Sequence, residues 1–159
     1  METAATALIK GIGIEEIVEA LDSFYCYNLV AFHYSRAVEN RLEGQASFLL
    51  GDELEEVAGQ SLQAAKKLAD RIGELGGVVT ADPTLLVRNS PLGEYSIPDS
   101  TRDVGVILGH ALGRICTIIG EYGAFLEQVR GRDEISHRLV LDLLKEQVRR
   151  ESEIEAALA

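Results

Sequence analysis

The chain has 159 residues, of which 47% are hydrophobic and 26% charged, and its formal net charge is −11. This length suits one domain with a sizeable core, and the apolar content excludes a disordered chain. Because the charge is strongly negative and no basic run is longer than two residues, we expect no direct binding to nucleic acid.

Cysteine usage and the N-terminus indicate the compartment. Cys26 and Cys116 stand far apart, which does not fit a secreted disulfide scaffold. The N-terminus has no basic region of the kind that opens a signal peptide. We see no apolar run of about 18 to 20 residues, so we expect no membrane span. These features predict a soluble cytoplasmic protein.

The composition favours helices, and the predicted elements follow in chain order. Residues 1–13 form an N-terminal extension, with a short helix within 1–10, and residues 14–159 form the main domain. The first long helix runs from Ile14 to about Arg41, because apolar residues recur there at helical spacing. The second helix begins between Phe48 and Asp52 and ends at Gly76-Gly77, a typical C-terminal stop.

Residues 78–99 contain all three prolines and predict a long crossover with one helical turn at 84–87. Asp99 or Ser100 caps the third helix, which is nearly apolar all round and should be buried on several sides. Its glycines at 105, 109 and 113 predict close helix packing. Asp133 caps the fourth helix. Two short turns on either side of one long crossover predict an all-α four-helix bundle made of two antiparallel hairpins.

The fourth helix carries an unusual pair of residues on its core-facing side. Leu139, Val140 and Leu143 share that face, and Gln147 and Arg150 continue it. In four-helix proteins that hold two metal ions, a Glu-x-x-His pair lies at such a place. An amide and a guanidinium therefore stand where metal ligands are expected.

Several segments carry a resemblance to a known family. They are Leu21–Tyr34, Lys67–Gly77, Asp82-Pro83, Gly113–Cys116 and Leu139–Glu151. From residue 14 onward the chain resembles the ferritin-like superfamily, in particular the Dps-like and bacterioferritin-like proteins. The resemblance implies a ferritin-like bundle with the long crossover between its second and third helices. It also implies six side chains that bind two irons and support the oxidation of ferrous ion.

None of the six ligand positions holds a carboxylate or an imidazole in this chain. By the resemblance, these degenerate positions are Asn28, Ser61, Ala64, Arg114, Gln147 and Arg150. A dinuclear iron site needs anionic ligands to offset about four positive charges, and arginine stays protonated. We therefore predict that the metal site is lost, with no catalytic residue, no metal and no cofactor.

Arg114 and Arg150 leave three interpretations open. They replace the metal structurally, through hydrogen bonds to Asn28, Gln147 or the tyrosines Tyr25 and Tyr27, or through an ion pair with Glu121. Alternatively, they form an anion-binding pocket for a carboxylate or phosphate ligand, or they extend to the surface.

The histidines and cysteines allow further alternatives. His33, His110 and His137 lie on three different helices, where they form either a separate metal site or ordinary polar contacts. Cys116 matches a thiol that some Dps-like relatives carry near the iron site. The partner thiol of those relatives falls on Ser90 here. The other interpretation of Cys26 and Cys116 is two small buried apolar residues.

These observations lead to three functional hypotheses. The first is a Dps-like protein without a ferroxidase centre, acting as a structural subunit of a closed oligomeric shell. Its shell would be a homo-oligomer, with a dodecamer as the first expectation, or a co-assembly with an active ferritin-like subunit. The second is iron storage or oxidation at a displaced or interfacial site. The third is a small-anion-binding module that uses Arg114 and Arg150.

Overall fold

The computed structural model describes residues 2–159. Four long helices and one short helix make up most of this range, and no strand occurs within it. They are α1 (Ile14–Arg41), α2 (Gln45–Glu74), α3 (Leu86–Asn89), α4 (Val104–Val129) and α5 (Glu134–Leu158). The predicted all-α bundle, with four long helices and a long crossover, is confirmed.

The four long helices pack as two hairpins joined by the crossover. Helix α1 packs mainly on α2, and α4 packs mainly on α5. At the start of the crossover, the Thr80 backbone N–H and hydroxyl donate to the Asp22 carboxylate on α1 at 2.7 and 2.6 Å. At its end, the Glu43 N–H donates to the Thr101 carbonyl at 3.0 Å. The crossover therefore extends along most of the length of α1.

Helix α2 is longer than predicted at its start and ends where predicted. It begins at Gln45, because Gly44 adopts a φ of 64° that ends the preceding turn without strain. At its other end, the Gly77 N–H donates to the Ile72 carbonyl at 2.9 Å and the Gly76 N–H to the Gly73 carbonyl at 3.0 Å. With a φ of 79° at Gly76, these bonds form a Schellman motif.

Side-chain caps set the start of the last two long helices. The prediction of Asp99 or Ser100 as the α4 cap is wrong, because Asp103 accepts the Val106 N–H instead, at 3.2 Å. Ser100 stabilises the turn before it, through the N–H groups of Arg102 and Asp103. The prediction for α5 is confirmed, since the Asp133 carboxylate accepts the Ser136 N–H at 3.1 Å. In the crossover, a 3₁₀ turn at Pro83–Leu85 precedes α3.

The N-terminal segment contains less helix than predicted. Met1 lies outside the described residues, and the rest forms only a 3₁₀ turn at Thr6–Leu8. Thr3 and Thr6 bond each other's backbone N–H groups through their hydroxyls, at 2.8 and 3.1 Å, which competes with helical bonding. The Lys10 N–H donates to the Arg132 carbonyl at 3.1 Å. The segment thus lies against the turn between α4 and α5.

The core consists of two clusters of buried side chains. The larger cluster includes Phe24, Leu68 and Tyr122, with Phe24 and Tyr122 in edge-to-face contact at 4.8 Å between ring centroids. The smaller cluster includes Val38 and Leu50. Residues of both clusters line the larger of the two cavities described below, so the candidate site lies where the clusters meet.

Helix α4 differs from prediction in its exposure. Its buried residues lie along one side, whereas Gly105, Gly109 and Gly113 are exposed. Outside the helix itself, no atom of the described chain lies within 4 Å of a Cβ placed at Gly109 or Gly113. The expected burial on several sides is therefore wrong within one chain, because the bundle covers only one face of α4.

Helix α4 is also apolar enough to cross a membrane by length and composition alone. It has 26 residues and a mean hydropathy of 1.4 in its most apolar window of 18 residues. The expectation that no apolar stretch reaches this length is therefore wrong. A single helix of this kind is weak support for a membrane protein, because the core helix of a soluble bundle meets the same criterion.

Candidate functional site

Five of the six predicted ligand positions line one small cavity. We call it the polar cavity; its volume is about 40 Å³. Helix α1 contributes Asn28, α2 contributes Ser61 and Ala64, and α5 contributes Gln147 and Arg150. All five are buried. The fold therefore brings together residues that the sequence separates by more than 100 positions.

The sixth position, Arg114, lines a second cavity of about 100 Å³, which we call the apolar cavity. Residues from all four long helices line it, and it shares Ser61, Gln147 and Arg150 with the polar cavity. The two cavities therefore meet at Arg150 and Gln147. Arg114 belongs to α4, whereas Gln147 and Arg150 belong to α5.

Asn28 is held by two hydrogen bonds and is not free to bind a ligand through its NH₂ group. Its Nδ2 donates to the Phe24 carbonyl at 2.8 Å and to the Tyr122 hydroxyl at 3.1 Å. Burial raises the pKa of Tyr122, which is fully buried and keeps its proton. This pair links α1 to α4 at the position where the resemblance implies a first-helix carboxylate.

Arg150 is a buried cation with incomplete compensation. Its guanidinium donates to the Gln60 side-chain oxygen, and its Nε lies 3.6 Å from Oε1 of Glu146. Burial lowers the pKa of Arg150, and the charge of Glu146 opposes that effect. Arginine nevertheless remains protonated in proteins. Glu146 also pairs with Arg149, so its negative charge is shared between two arginines.

Arg114 has no ion-pair partner among the described residues, so the expected pairing with Glu121 is wrong. Its guanidinium carbon lies 4.2 Å from the ring centroid of Tyr34, a cation–π contact. The hydrogen bonds expected from the arginines to Asn28, Gln147, Tyr25 or Tyr27 are also absent from the described part of the chain. Asn28 is instead engaged with Tyr122, and Arg150 with Gln60.

Three buried polar atoms of residues that line the apolar cavity lack a hydrogen-bond partner. They are Arg114 Nη2, Arg150 Nε and Gln147 Oε1. Most buried polar atoms in folded proteins are paired. The separation of 3.6 Å between Arg150 Nε and Glu146 is too long for a hydrogen bond. Hydrogen-bonding capacity therefore remains unused here.

Tyr34 is also part of a polar chain that the sequence analysis missed. Its hydroxyl lies 2.6 Å from Nδ1 of His110, and the Ser96 hydroxyl lies 3.0 Å from Nε2. Burial raises the pKa of Tyr34 to about 12. Burial, and then the charge of Arg114, lower the pKa of His110. His110 and Arg114 both contact Tyr34. The signal for this in the sequence was their spacing of four residues, which places both side chains on one face of α4.

The residues at the site do not fit a pair of iron ions. Among residues 2–159, no group of three or more His, Cys, Asp or Glu side chains is placed to hold a metal ion. Glu146 lines the polar cavity, but arginines already engage its carboxylate. The three histidines do not converge either: His110 bonds Tyr34, His33 lies near Tyr95, and His137 has a buried Nε2 without a partner.

The two cysteines differ in their surroundings. Cys26 is buried, and burial raises its pKa. Cys116 is exposed and donates from Sγ to the Glu151 carboxylate at 3.3 Å. The interpretation as small buried residues thus fits Cys26 and not Cys116. Both thiols are free, and the crossover position that would supply a second thiol is Ser90, which is buried.

Comparisons with known proteins agree with this architecture. The family model described as ferritin-like domain matches residues 15–159. A comparison with curated proteins finds no significant match. A bacterioferritin-related protein from Bacteroides fragilis, described as a dodecameric thioferritin, is 21% identical, with a TM-score of 0.85 and coverage of 92% of this chain and 86% of that one.

Two further solved structures share the fold. A Dps homologue from the archaeon Halobacterium salinarum is 23% identical, with a TM-score of 0.80 and coverage of 92% and 81% of the two chains. The DPS protein from Vibrio cholerae O1 is 17% identical, with a TM-score of 0.83 over the full length of both. At these identities the likeness shows the fold alone. Because the family model spans nearly the whole chain, this protein belongs to the ferritin-like domain family.

Proposed function

We propose that this protein is a Dps-like ferritin homologue without a ferroxidase centre, which serves as a structural subunit of a closed oligomeric shell. One observation carries the proposal. Asn28, Ser61, Ala64, Gln147 and Arg150 converge on a single buried cavity, and none of them is a carboxylate or an imidazole. This convergence of residues that are poor iron ligands on one buried cavity supports the loss of the ferroxidase centre.

The charge at the site also opposes iron. Two unit charges about 4 Å apart interact by about 4 kcal/mol at the effective dielectric of a partly buried site. Arg114 and Arg150 would each repel a nearby ferrous ion, and Glu146 offsets at most one of them. The neutral oxygens of Asn28, Ser61 and Gln147 are weak ligands for such an ion. Ferrous ion is therefore a poor substrate for this cavity.

The surface of a single chain supports assembly. Phe48 and Val78 are 89% and 85% exposed. Leu8, Leu49 and Ile135 are each at least half exposed. The exposed glycine face of α4 allows close approach of a neighbouring helix. The similar Bacteroides fragilis protein is described as dodecameric. These features support a homo-oligomer, with a dodecamer as the first expectation.

Metal analysis combined with native mass spectrometry tests the proposal. We expect a closed oligomer that does not bind two irons per subunit and does not accelerate ferrous oxidation. Two irons per subunit together with rapid oxidation would contradict it. Iron deposition without that binding would place iron handling at another surface, as in the second hypothesis. Co-expression with an active ferritin-like subunit, followed by native mass measurement, tests co-assembly.

A further inference from the structure

The apolar cavity has walls that suit a hydrocarbon group. Its sides are mainly aliphatic and come from all four long helices: Val38 of α1, Leu50, Leu54 and Val57 of α2, Ile107 and Ile115 of α4, and Ile154 of α5. Its volume is about 100 Å³. An apolar cavity of about 150 Å³ binds benzene. This cavity is smaller, so it suits a short aliphatic chain of up to about four carbons rather than a ring.

One end of the apolar cavity is polar and cationic. Arg114, Gln147 and Arg150 all line it. Arg150 and Gln147 are only 6% and 8% exposed. Each of the three side chains has one buried polar atom without a hydrogen-bond partner. The three side chains line one cavity, which points to a polar ligand group within it that would complete the unused atoms.

The charges at this end favour an anionic group. The guanidinium carbon of Arg114 lies 4.2 Å from the ring centroid of Tyr34, and Nη2 of the same guanidinium is buried without a hydrogen-bond partner. The Tyr27 hydroxyl also borders the cavity, and both guanidinium charges act on it. Glu146 is the carboxylate nearest to Arg150. Two guanidiniums with one shared carboxylate leave a net positive charge at the polar end.

The rim of the cavity limits the charge of the ligand. Glu53 and Glu153 border the cavity and are exposed, and Glu153 is paired with Arg149. These carboxylates would disfavour a multiply charged anion such as phosphate. A planar carboxylate with a single charge matches guanidinium N–H groups in pairs. Rotation of the Gln147 amide by half a turn also presents its NH₂ to such a group.

We propose that the apolar cavity binds a small amphipathic monocarboxylate, with its carboxylate at Arg114 and Arg150 and its hydrocarbon part between the aliphatic walls. This site goes beyond the proposed structural role, because it adds the binding of a small molecule inside the bundle. The unpartnered polar atoms and the net positive charge favour the carboxylate, and the apolar walls favour the hydrocarbon part. No covalent step is involved.

Calorimetric titration of the purified oligomer tests this site with defined probes. We expect saturable binding of butanoate. Butan-1-ol, which keeps the chain, and inorganic phosphate, which keeps only a charge, should each bind at least about tenfold more weakly. Equal affinity for butanoate and butan-1-ol, or no saturable binding of butanoate, would overturn the proposal.

Variants locate the binding. Arg114→Gln and Ala111→Leu, which fills the cavity, should each weaken butanoate binding by at least about tenfold. Arg88→Gln removes an exposed charge outside the cavity and should leave the affinity unchanged. An equal loss in all three variants would contradict the site. The iron test is independent of this titration. Binding of two irons per subunit would contradict the structural role, whereas absence of butanoate binding would contradict only the ligand site.

Discussion

Arg71 on α2 and Asp133 at the start of α5 form a buried ion pair, with 2.9 Å between Nη2 and Oδ1. The side chains are 5% and 1% exposed. The Arg71 Nε also donates to the Ser136 hydroxyl at 2.9 Å, and Oδ1 of Asp133 accepts the Ser136 N–H. One carboxylate therefore caps a helix and neutralises a buried cation from another helix.

Substitution Asp133→Ala should strongly destabilise the protein. It leaves the buried Arg71 guanidinium with only the exposed carboxylate of Glu74 as an ion-pair partner, at 3.5 Å. Removal of one partner of a buried ion pair typically costs about 3–5 kcal/mol. The matched control is Asp103→Ala, which removes the exposed cap of α4 and should cost about 1 kcal/mol. Urea unfolding at fixed protein concentration measures both values. Equal losses in the two variants would show that the ion pair adds nothing beyond the cap.

The stability of the protein should fall as the pH drops below about 6.5. The folded pKa of His110 lies below its ordinary value of 6.5, so the unfolded chain takes up the proton first. The contribution of His110 is thus complete above pH 6.5 and is lost as the pH falls toward the folded pKa. The groups that face the ring are Tyr34, Ser96, Arg114 and Asp99.

Substitution His110→Gln should flatten this dependence, because an amide retains hydrogen bonding without titrating. The measurement is the urea midpoint between pH 5 and 8. His33→Gln is the control, since His33 is exposed and its loss should leave the slope as in the parent protein. A pH slope that is identical in all three proteins would rule out a contribution from His110.

Gly77 should not tolerate a side chain. A Cβ there would lie 2.7 Å from Cγ1 of Val18 and 3.1 Å from Cγ2 of Ile72. We expect Gly77→Ala to destabilise the protein by about 1–3 kcal/mol through overpacking between α1 and α2. Gly73, in the last turns of α2, has no atom within 4 Å of its Cβ position. Gly73→Ala should therefore stabilise by up to about 1 kcal/mol, and thermal unfolding of the pair distinguishes the two effects.

Restoring the family's ligand set should create iron binding. The restored variant carries Asn28→Glu, Ser61→Glu, Ala64→His, Arg114→Glu, Gln147→Glu and Arg150→His. We expect iron content to rise toward two ions per subunit, as the resemblance implies. We also expect a lower melting temperature without metal, because the introduced carboxylates would be buried and unpaired.

A charge-matched control separates site-specific binding from general attraction of cations. Lys66→Glu, Lys67→Glu and Arg88→Glu together change the net charge by the same amount, on exposed side chains. Metal analysis after gel filtration should show iron in the restored variant and not in the control. Equal iron content in both would mean that the six positions are not the counterparts of the family's ligands.

The sequence was sufficient for the helices and the main turns. Helical spacing of apolar residues located α1, and the Gly76-Gly77 pair located the end of α2, because these signals act within a few residues of one another. Two helix starts were predicted wrongly, those of α2 at Gln45 and of α4 after Asp103. Each start depends on which of several nearby polar or glycine residues occupies the N-cap position. Neighbouring candidates differ too little in local preference for the sequence to choose among them.

The sequence by itself determined which residues occupy the centre of the bundle and that none of the six expected positions offers a carboxylate or an imidazole. Only the tertiary structure decided what those residues do there. It placed Arg114 over Tyr34 rather than beside Glu121, and joined Arg150 to Gln60 and Glu146. The physical reason is that partners of buried charges come from other helices, so their identity depends on packing distances that local sequence patterns do not encode.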